Sequence, residues 1–138
     1  MLFPDKSICK IKQKRIVSKE NQKVHTAVNV DDCDVFQYKI DGDIISSSSS
    51  EIRCDYLVEN GTRLTAYLIE LKGTDLPHAV EQIEATIKKY RTELASYEIK
   101  PRIIYRTNTH AVRHLAVQKF KMKYKDCVIR TDCFTENI

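Results

Sequence analysis

Glycine and proline are scarce, three of each in 138 residues. That scarcity excludes collagen-like and low-complexity chains. Long apolar runs are missing too. No stretch approaches the roughly 20 residues a membrane-spanning helix needs. The opening MLFPDKSICKIKQKR has neither the apolar run nor the small-residue cleavage site of a signal peptide. These absences predict a soluble, cytoplasmic protein with no membrane partner. Cysteine is present but not paired: Cys9, Cys33, Cys54, Cys127 and Cys133 are odd in number and contain no C-x-x-C spacing. A zinc ribbon or dithiol redox motif would need closer spacing, so buried, reduced thiols are expected.

What is present suffices for one core. Hydrophobic residues make up 42% and charged residues 30% of the chain, which argues against wholesale disorder. The length fits a single domain, 1–138, read as an N-terminal β extension (1–34) followed by a core (35–138). The net charge of +4 is unevenly spread: residues 1–30 carry +5, residues 31–80 carry −6, and residues 81–138 carry +5. By itself this is the pattern of a solvated surface. Around a metal site, a basic rim and an acidic centre would suit an anionic polymer.

Residues 8–17 alternate partly between apolar and basic side chains, and residues 23–30 are rich in β-branched residues. Both read as strands, joined by a turn at 18–22. Residues 35–40 are a third strand candidate, and Asp41-Gly42-Asp43 is a turn signal. Five consecutive serines, 46–50, cannot pack a core and predict a mobile surface loop. Strand 52–58 runs into Asn60-Gly61, the preferred centre of a two-residue hairpin turn, and 63–71 is the return strand. Asp75-Leu76-Pro77 then opens a helix over 77–95, whose apolar face is Val80, Ile83, Ile87, Tyr90 and Leu94. After Pro101 come strand 102–107, a helix over about 109–124 with Val112, Leu115, Ala116, Val117 and Phe120 inward, and strand 127–134. The order predicts an α/β domain with a mixed sheet.

The candidate site is Asp55 followed by Glu70-Leu71-Lys72. Residues two apart on a strand share a face, so Glu70 and Lys72 stand together. A two-residue turn at 60–61 puts Asp55 on that face as well, but opposite Ala66. That leaves it about 13 Å short of Glu70 at roughly 3.3 Å per residue. A longer loop, a bulge or a bend must close the gap. The same register sets Glu51 opposite Glu70 as an accessory carboxylate. Asp55 and Glu70 offer the hard oxygens that Mg²⁺ (or Mn²⁺) takes, with the Leu71 carbonyl as a further ligand. Lys72 would orient the attacking water or neutralise charge developing on phosphorus. The bland alternative is a solvated ion pair at a strand end.

Asp55…Glu70-Leu71-Lys72 resembles the PD-(D/E)XK nuclease superfamily, with its restriction-endonuclease-like fold of a mixed β-sheet flanked by helices. Its signature is an Asp on one strand, (D/E)-x-K on the next, then a helix. The RecB-like and Holliday-junction-resolvase-like branches add a Gln and a Tyr in that helix, which Gln82 and Tyr90 resemble. The likeness covers residues 35–134, and the extra N-terminal strands lie outside it. A helix usual before the first core strand has no counterpart, since the segment before residue 35 reads as strands. Cys54 stands where the superfamily often has Pro.

The resemblance implies Mg²⁺-dependent hydrolysis of phosphodiester bonds in DNA. Asp55, Glu70, Lys72 and Gln82 would be catalytic, and Asp55, Glu70 and Leu71 would hold the metal. A homodimer would be needed to cut both strands. His78, near the helix start, would reach phosphate or simply lie on the surface. Lys119, Lys121, Lys123 and Lys125 would grip the nucleic-acid backbone or form a solvated helix end. Two rival readings are a nuclease-fold module that binds nucleic acid or a protein without cleaving, and an unrelated α/β domain.

Overall fold

The computed structural model describes residues 1–71, 75–106 and 113–138. Lys72, and the part of the second predicted helix that includes Val112, lie outside the described residues.

The N-terminal hairpin is β1 (Arg15–Glu20) and β2 (Lys23–Val28), with Glu20 facing Lys23 and Asn21 in the left-handed region at φ 54°. The first strand starts later than its alternation suggests, because residues 7–11 have another task. They lie along β3 (Val35–Lys39), where Ile8 N–H donates to Gln37 O at 2.8 Å and Val35 N–H to Ile11 O at 2.6 Å. An uncovered β3 would be the outer edge of the main sheet, a row of unpaired amides and carbonyls.

β4 (Asp41–Gly42) and β5 (Ile45–Ser46) form a two-residue parallel bridge around the predicted turn, with Gly42 at φ 124°. The main sheet then takes β6 (Tyr56–Asn60), β7 (Thr65–Glu70), β8 (Glu98–Tyr105) and β9 (Val128–Thr131). Its order is β3-β6-β7-β8-β9, antiparallel from β3 to β7 and parallel from β7 to β9. The helices α1 (Leu76–Lys89) and α2 (Leu115–Lys123) lie in the β7–β8 and β8–β9 connections. The architecture is therefore mixed α/β, as the element order predicts.

β7 is buried along its whole length, and its alternate side chains face two cores. Ala66 and Leu68 join Leu57, Ile103, Leu76, Ile83, Val117 and Phe120 beneath the helices. Tyr67 and Ile69 join Val58, Ile104, Ile16 and Ala27 beneath the N-terminal hairpin. A fully buried side chain of this size contributes about 1.5–3 kcal/mol, so the sheet is fixed from both sides.

The C-terminal strand departs from expectation. Rather than one strand over 127–134, the chain turns at Asp132 (φ 63°), and β10 (Cys133–Asn137) leaves the main sheet to pair parallel with β2. The N-terminal hairpin is therefore completed by the C-terminal strand, in the order β1-β2-β10. A cluster of buried Arg102 and His25 around half-buried Glu136 fastens this junction: Arg102 donates to both Glu136 oxygens at 2.6 and 2.8 Å, and His25 Nε2 lies 2.7 Å from Glu136 Oε2. Burial pushes the Glu136 carboxyl up, but the hydrogen bonds and charges of Arg102 and His25 outweigh it and hold it at about 2.

Three boundaries differ from the sequence pattern. β8 runs through Pro101, which is tolerated because β9 begins only opposite Arg102 and leaves an edge at Pro101. α1 ends at Lys89, and Tyr90 and Leu94 are delivered to the core by successive turns rather than by helix. Within α2, Val117 and Phe120 are buried as predicted, but Leu115 is 65% exposed, since His114 caps the helix by accepting the Ala116 N–H and Leu115 starts it outside the core. Of the five thiols, all free, Cys33 and Cys54 are buried, Cys9 and Cys127 half-buried, and Cys133 is exposed on β10. Among the described residues no helix is long and apolar enough to cross a membrane.

Candidate active site

The β6–β7 ladder pairs Tyr56 with Ile69 and Asn60 with Thr65, so the connecting loop is Gly61–Leu64, four residues rather than two. Asn60 closes β6 instead of sitting at a turn centre. Its Oδ1 accepts the Arg63 N–H at 3.0 Å, and Leu64 takes the left-handed conformation at φ 55°. Gly61 fits for a reason of space: a Cβ there would lie 3.1 Å from Phe36 Cε2. The longer loop slides β7 by four residues relative to the two-residue expectation. That shift moves the chain at Asp55 from beside Ala66 to the ladder end at Glu70.

The contact is direct. Asp55 N–H donates to Ile69 O at 3.1 Å, and Asp55 Oδ2 accepts the Leu71 N–H at 2.8 Å. Asp55 thus touches the main chain on both sides of Glu70, within about one strand spacing of ~4.8 Å. Both acids are sealed, Asp55 at 2% exposure and Glu70 at 0%. Their charges reach the neighbouring thiol. Burial pushes Cys54 far up, a hydrogen bond with Thr86 pulls it back, and the charges of Glu70 and Asp55 add to the rise.

α1 holds the segment that carries Asp55 into β6. Its start is set by Asp75, whose Oδ1 accepts the His78 N–H at 3.0 Å, with Pro77 in the first turn. Gln82 and Thr86, one turn apart on its buried face, grip successive backbone groups. Gln82 Nε2 donates to Arg53 O at 3.2 Å, and Thr86 Oγ1 accepts the Cys54 N–H at 2.8 Å while donating to Gln82 O. Gln82 therefore binds the chain two residues upstream of Asp55, near the site the sequence assigns it to. Thr86 and Arg53 were not foreseen. A polar residue at i+4 from Gln82 on an apolar helix face was the available signal for Thr86.

The accessory residues gather elsewhere. Glu51 does not oppose Glu70, because the register that put it there assumed the shorter loop. It pairs with Lys89 and lines a pocket of about 290 Å³ with Asp41, Arg53, His78 and Gln82. His78 is exposed, with Nδ1 3.4 Å from Glu81 Oε2. Tyr90 caps the C-terminus of α1, and its ring packs edge-on against Phe3 at 4.9 Å, a core role. Lys119, Lys121, Lys123 and Lys125 are all exposed. Lys123 pairs with Glu84 on α1 at 3.4 Å, and Lys125 lies beyond the end of α2, so it shares no helical face with Lys121.

Asp55 and Glu70 bring two buried carboxylates to the end of the β6–β7 ladder, and hard oxygens are the donor class that Mg²⁺ takes, commonly one or two carboxylates with water completing its shell. Among the described residues, no group of three His, Cys, Asp or Glu side chains is placed to hold a metal. Comparison with protein-family models, curated proteins and solved structures finds no match.

Proposed function

We propose that this protein is a Mg²⁺-dependent nuclease of restriction-endonuclease-like fold, hydrolysing phosphodiester bonds in DNA. The observation that carries the reading is the bracketing of Glu70 by Asp55. Two carboxylates brought to the same strand end are hard-oxygen donors of the class that Mg²⁺ takes. The element order supports it too: β6, β7, then α1 and β8 in one mixed sheet match the succession of strand, strand, helix and strand in the resemblance.

Asp55, Glu70 and the Leu71 carbonyl would hold the metal, which supplies Lewis acidity toward a phosphodiester oxygen when bound. Asp55 is oriented by the Leu71 N–H, and the two residues before it are fixed by Gln82 and Thr86. Lys72, two residues beyond Glu70, is assigned to orienting the attacking water. A homodimer would present two such sites, one per strand.

The test is nicking of a supercoiled plasmid with Mg²⁺ or Mn²⁺, with and without chelator. Metal-dependent nicking lost in Asp55→Asn supports the reading, and its absence from pure protein counts against it. One observation favours the second reading, a nuclease-fold module that binds without cleaving. Both acids lie beneath the surface, and substrate must reach them. DNA retained without nicking, at any divalent cation, would select that alternative.

A further inference from the structure

Arg53 lies two residues before Asp55, and its side chain is only 11% exposed. A guanidinium has five N–H donors in a rigid fork. Here five hydrogen bonds leave it. Nε and Nη2 donate to Asp41 Oδ1 at 3.1 and 2.9 Å. Nη1 donates to Ser49 O and Glu51 O, both at 2.7 Å. Nη2 also donates to Ser46 O at 3.2 Å. The backbone carbonyl of the same residue accepts Gln82 Nε2 from α1.

A guanidinium so fully used has no donor left for a phosphate. It is instead the centre about which the serine loop is wound. Three carbonyls of the 46–51 segment point inward at Arg53, while the Ser49 hydroxyl accepts the Glu51 N–H within the loop. Ser46, Ser47, Ser48 and Ser50 are exposed, and the Ser46 and Ser48 hydroxyls lie 2.9 Å apart. The loop's far end, Ser50 to Arg53, forms one wall of the 290 Å³ pocket, whose other wall is His78 and Gln82. Ile52 stands in that wall 42% exposed.

We infer that Arg53, two residues along the chain from Asp55, is a positioning residue that holds the 46–51 loop as the substrate-facing wall of the pocket it shares with Gln82, so that it governs DNA affinity rather than metal binding. The inference rests on the nuclease reading above. Lysine cannot replace it, since a single ammonium cannot span Asp41 and three carbonyls. Asp41 supports the same wall from the other side of the guanidinium.

The experiment compares wild type with Arg53→Gln, Arg53→Lys and Asp41→Asn. Three readouts are needed: Mn²⁺ titration, amide hydrogen exchange over 44–53, and the KM and kcat of plasmid nicking. The expectation for both Arg53 variants is unchanged Mn²⁺ affinity, faster exchange in the loop, and KM raised about tenfold with kcat within about twofold. Asp41→Asn should fall between these variants and wild type. A merely structural arginine would move stability without splitting KM from kcat. Wild-type nicking with an unchanged KM in both Arg53 variants overturns this inference and leaves the nuclease reading intact. Wild type that binds no Mn²⁺ and cuts nothing overturns both. Unaltered exchange in the loop rejects Arg53 as its anchor whatever the catalytic result.

Discussion

Asp55 straddles Glu70. Its N–H bonds to the carbonyl before Glu70 and its carboxylate accepts the N–H after it. The relation depends on a loop of four residues, since any other loop length would carry Asp55 along β7 to a different partner. A hairpin turn some distance away is therefore part of the site, acting through register.

Substitutions at the pair should separate metal binding from catalysis. Asp55→Asn and Glu70→Gln keep shape and remove charge, so each should abolish Mn²⁺ binding in a calorimetric titration together with cleavage. Lys72→Ala removes a cation that cannot ligate a metal, so binding should persist while cleavage falls. An ordinary surface ion pair would show no such asymmetry. There each change would alter stability by about 0–1 kcal/mol and nothing more.

Thr86→Val tests the helix grip. It keeps the β-branched shape and leaves the buried Cys54 N–H without its 2.8 Å acceptor. Stranding a buried donor costs about 1–3 kcal/mol, so the urea midpoint should fall accordingly. Thr86→Ser, which keeps the hydroxyl, should recover most of the loss. Equal midpoints for Val and Ser would show that the hydrogen bond does not hold the strand.

Much of this was legible beforehand and some was not, for identifiable reasons. The change from period two to period 3.6 after Glu70, with Asp75 and Pro77 as start signals, located β7 and α1. Parity put Asp55 with Glu70, and parity survives a shift of four residues. The shift itself was not legible. Asn60-Gly61 signals a two-residue turn, and nothing local reveals that Phe36 packs on Gly61 or that Asn60 Oδ1 reaches Arg63. The pairing of β10 with β2 spans more than a hundred positions, and its buried link through Arg102 looks in sequence like any strand arginine. Arg53 was equally mute, since its partners are mainly backbone carbonyls, which carry no residue identity.

Gly61→Ala probes the loop. The new methyl would meet Phe36 Cε2 at 3.1 Å and Asp34 O at 3.5 Å, so the ring must give way. A destabilisation of about 1 kcal/mol or somewhat more is expected by the overpacking rule. Because the loop sets the register, activity should drop with stability. Full stability in thermal melts would mean that Phe36 moves aside freely.

Acid should loosen the sheet junction through Glu136. Its carboxyl sits at about 2 against an ordinary 4.5, held down by Arg102 and His25 in spite of burial. A carboxyl depressed in the folded state adds stability that is complete above the ordinary value and fades as pH falls toward 2. At about 1.36 kcal/mol per unit, the contribution is on the order of 3 kcal/mol at neutral pH. Urea midpoints measured from pH 7 to pH 2 should therefore hold level and then fall below about pH 4.5, with other carboxylates adding to the slope. Glu136→Gln should flatten part of that fall. Arg102→Met, which leaves Glu136 facing His25 without its guanidinium, should cost about 3–5 kcal/mol at pH 7, since it strands a buried charge. Combining the two changes should recover stability relative to Arg102→Met alone, because no carboxylate then remains to be compensated. If the double variant is as unstable as the sum of the singles, the pair is not coupled and the acid sensitivity belongs to other groups.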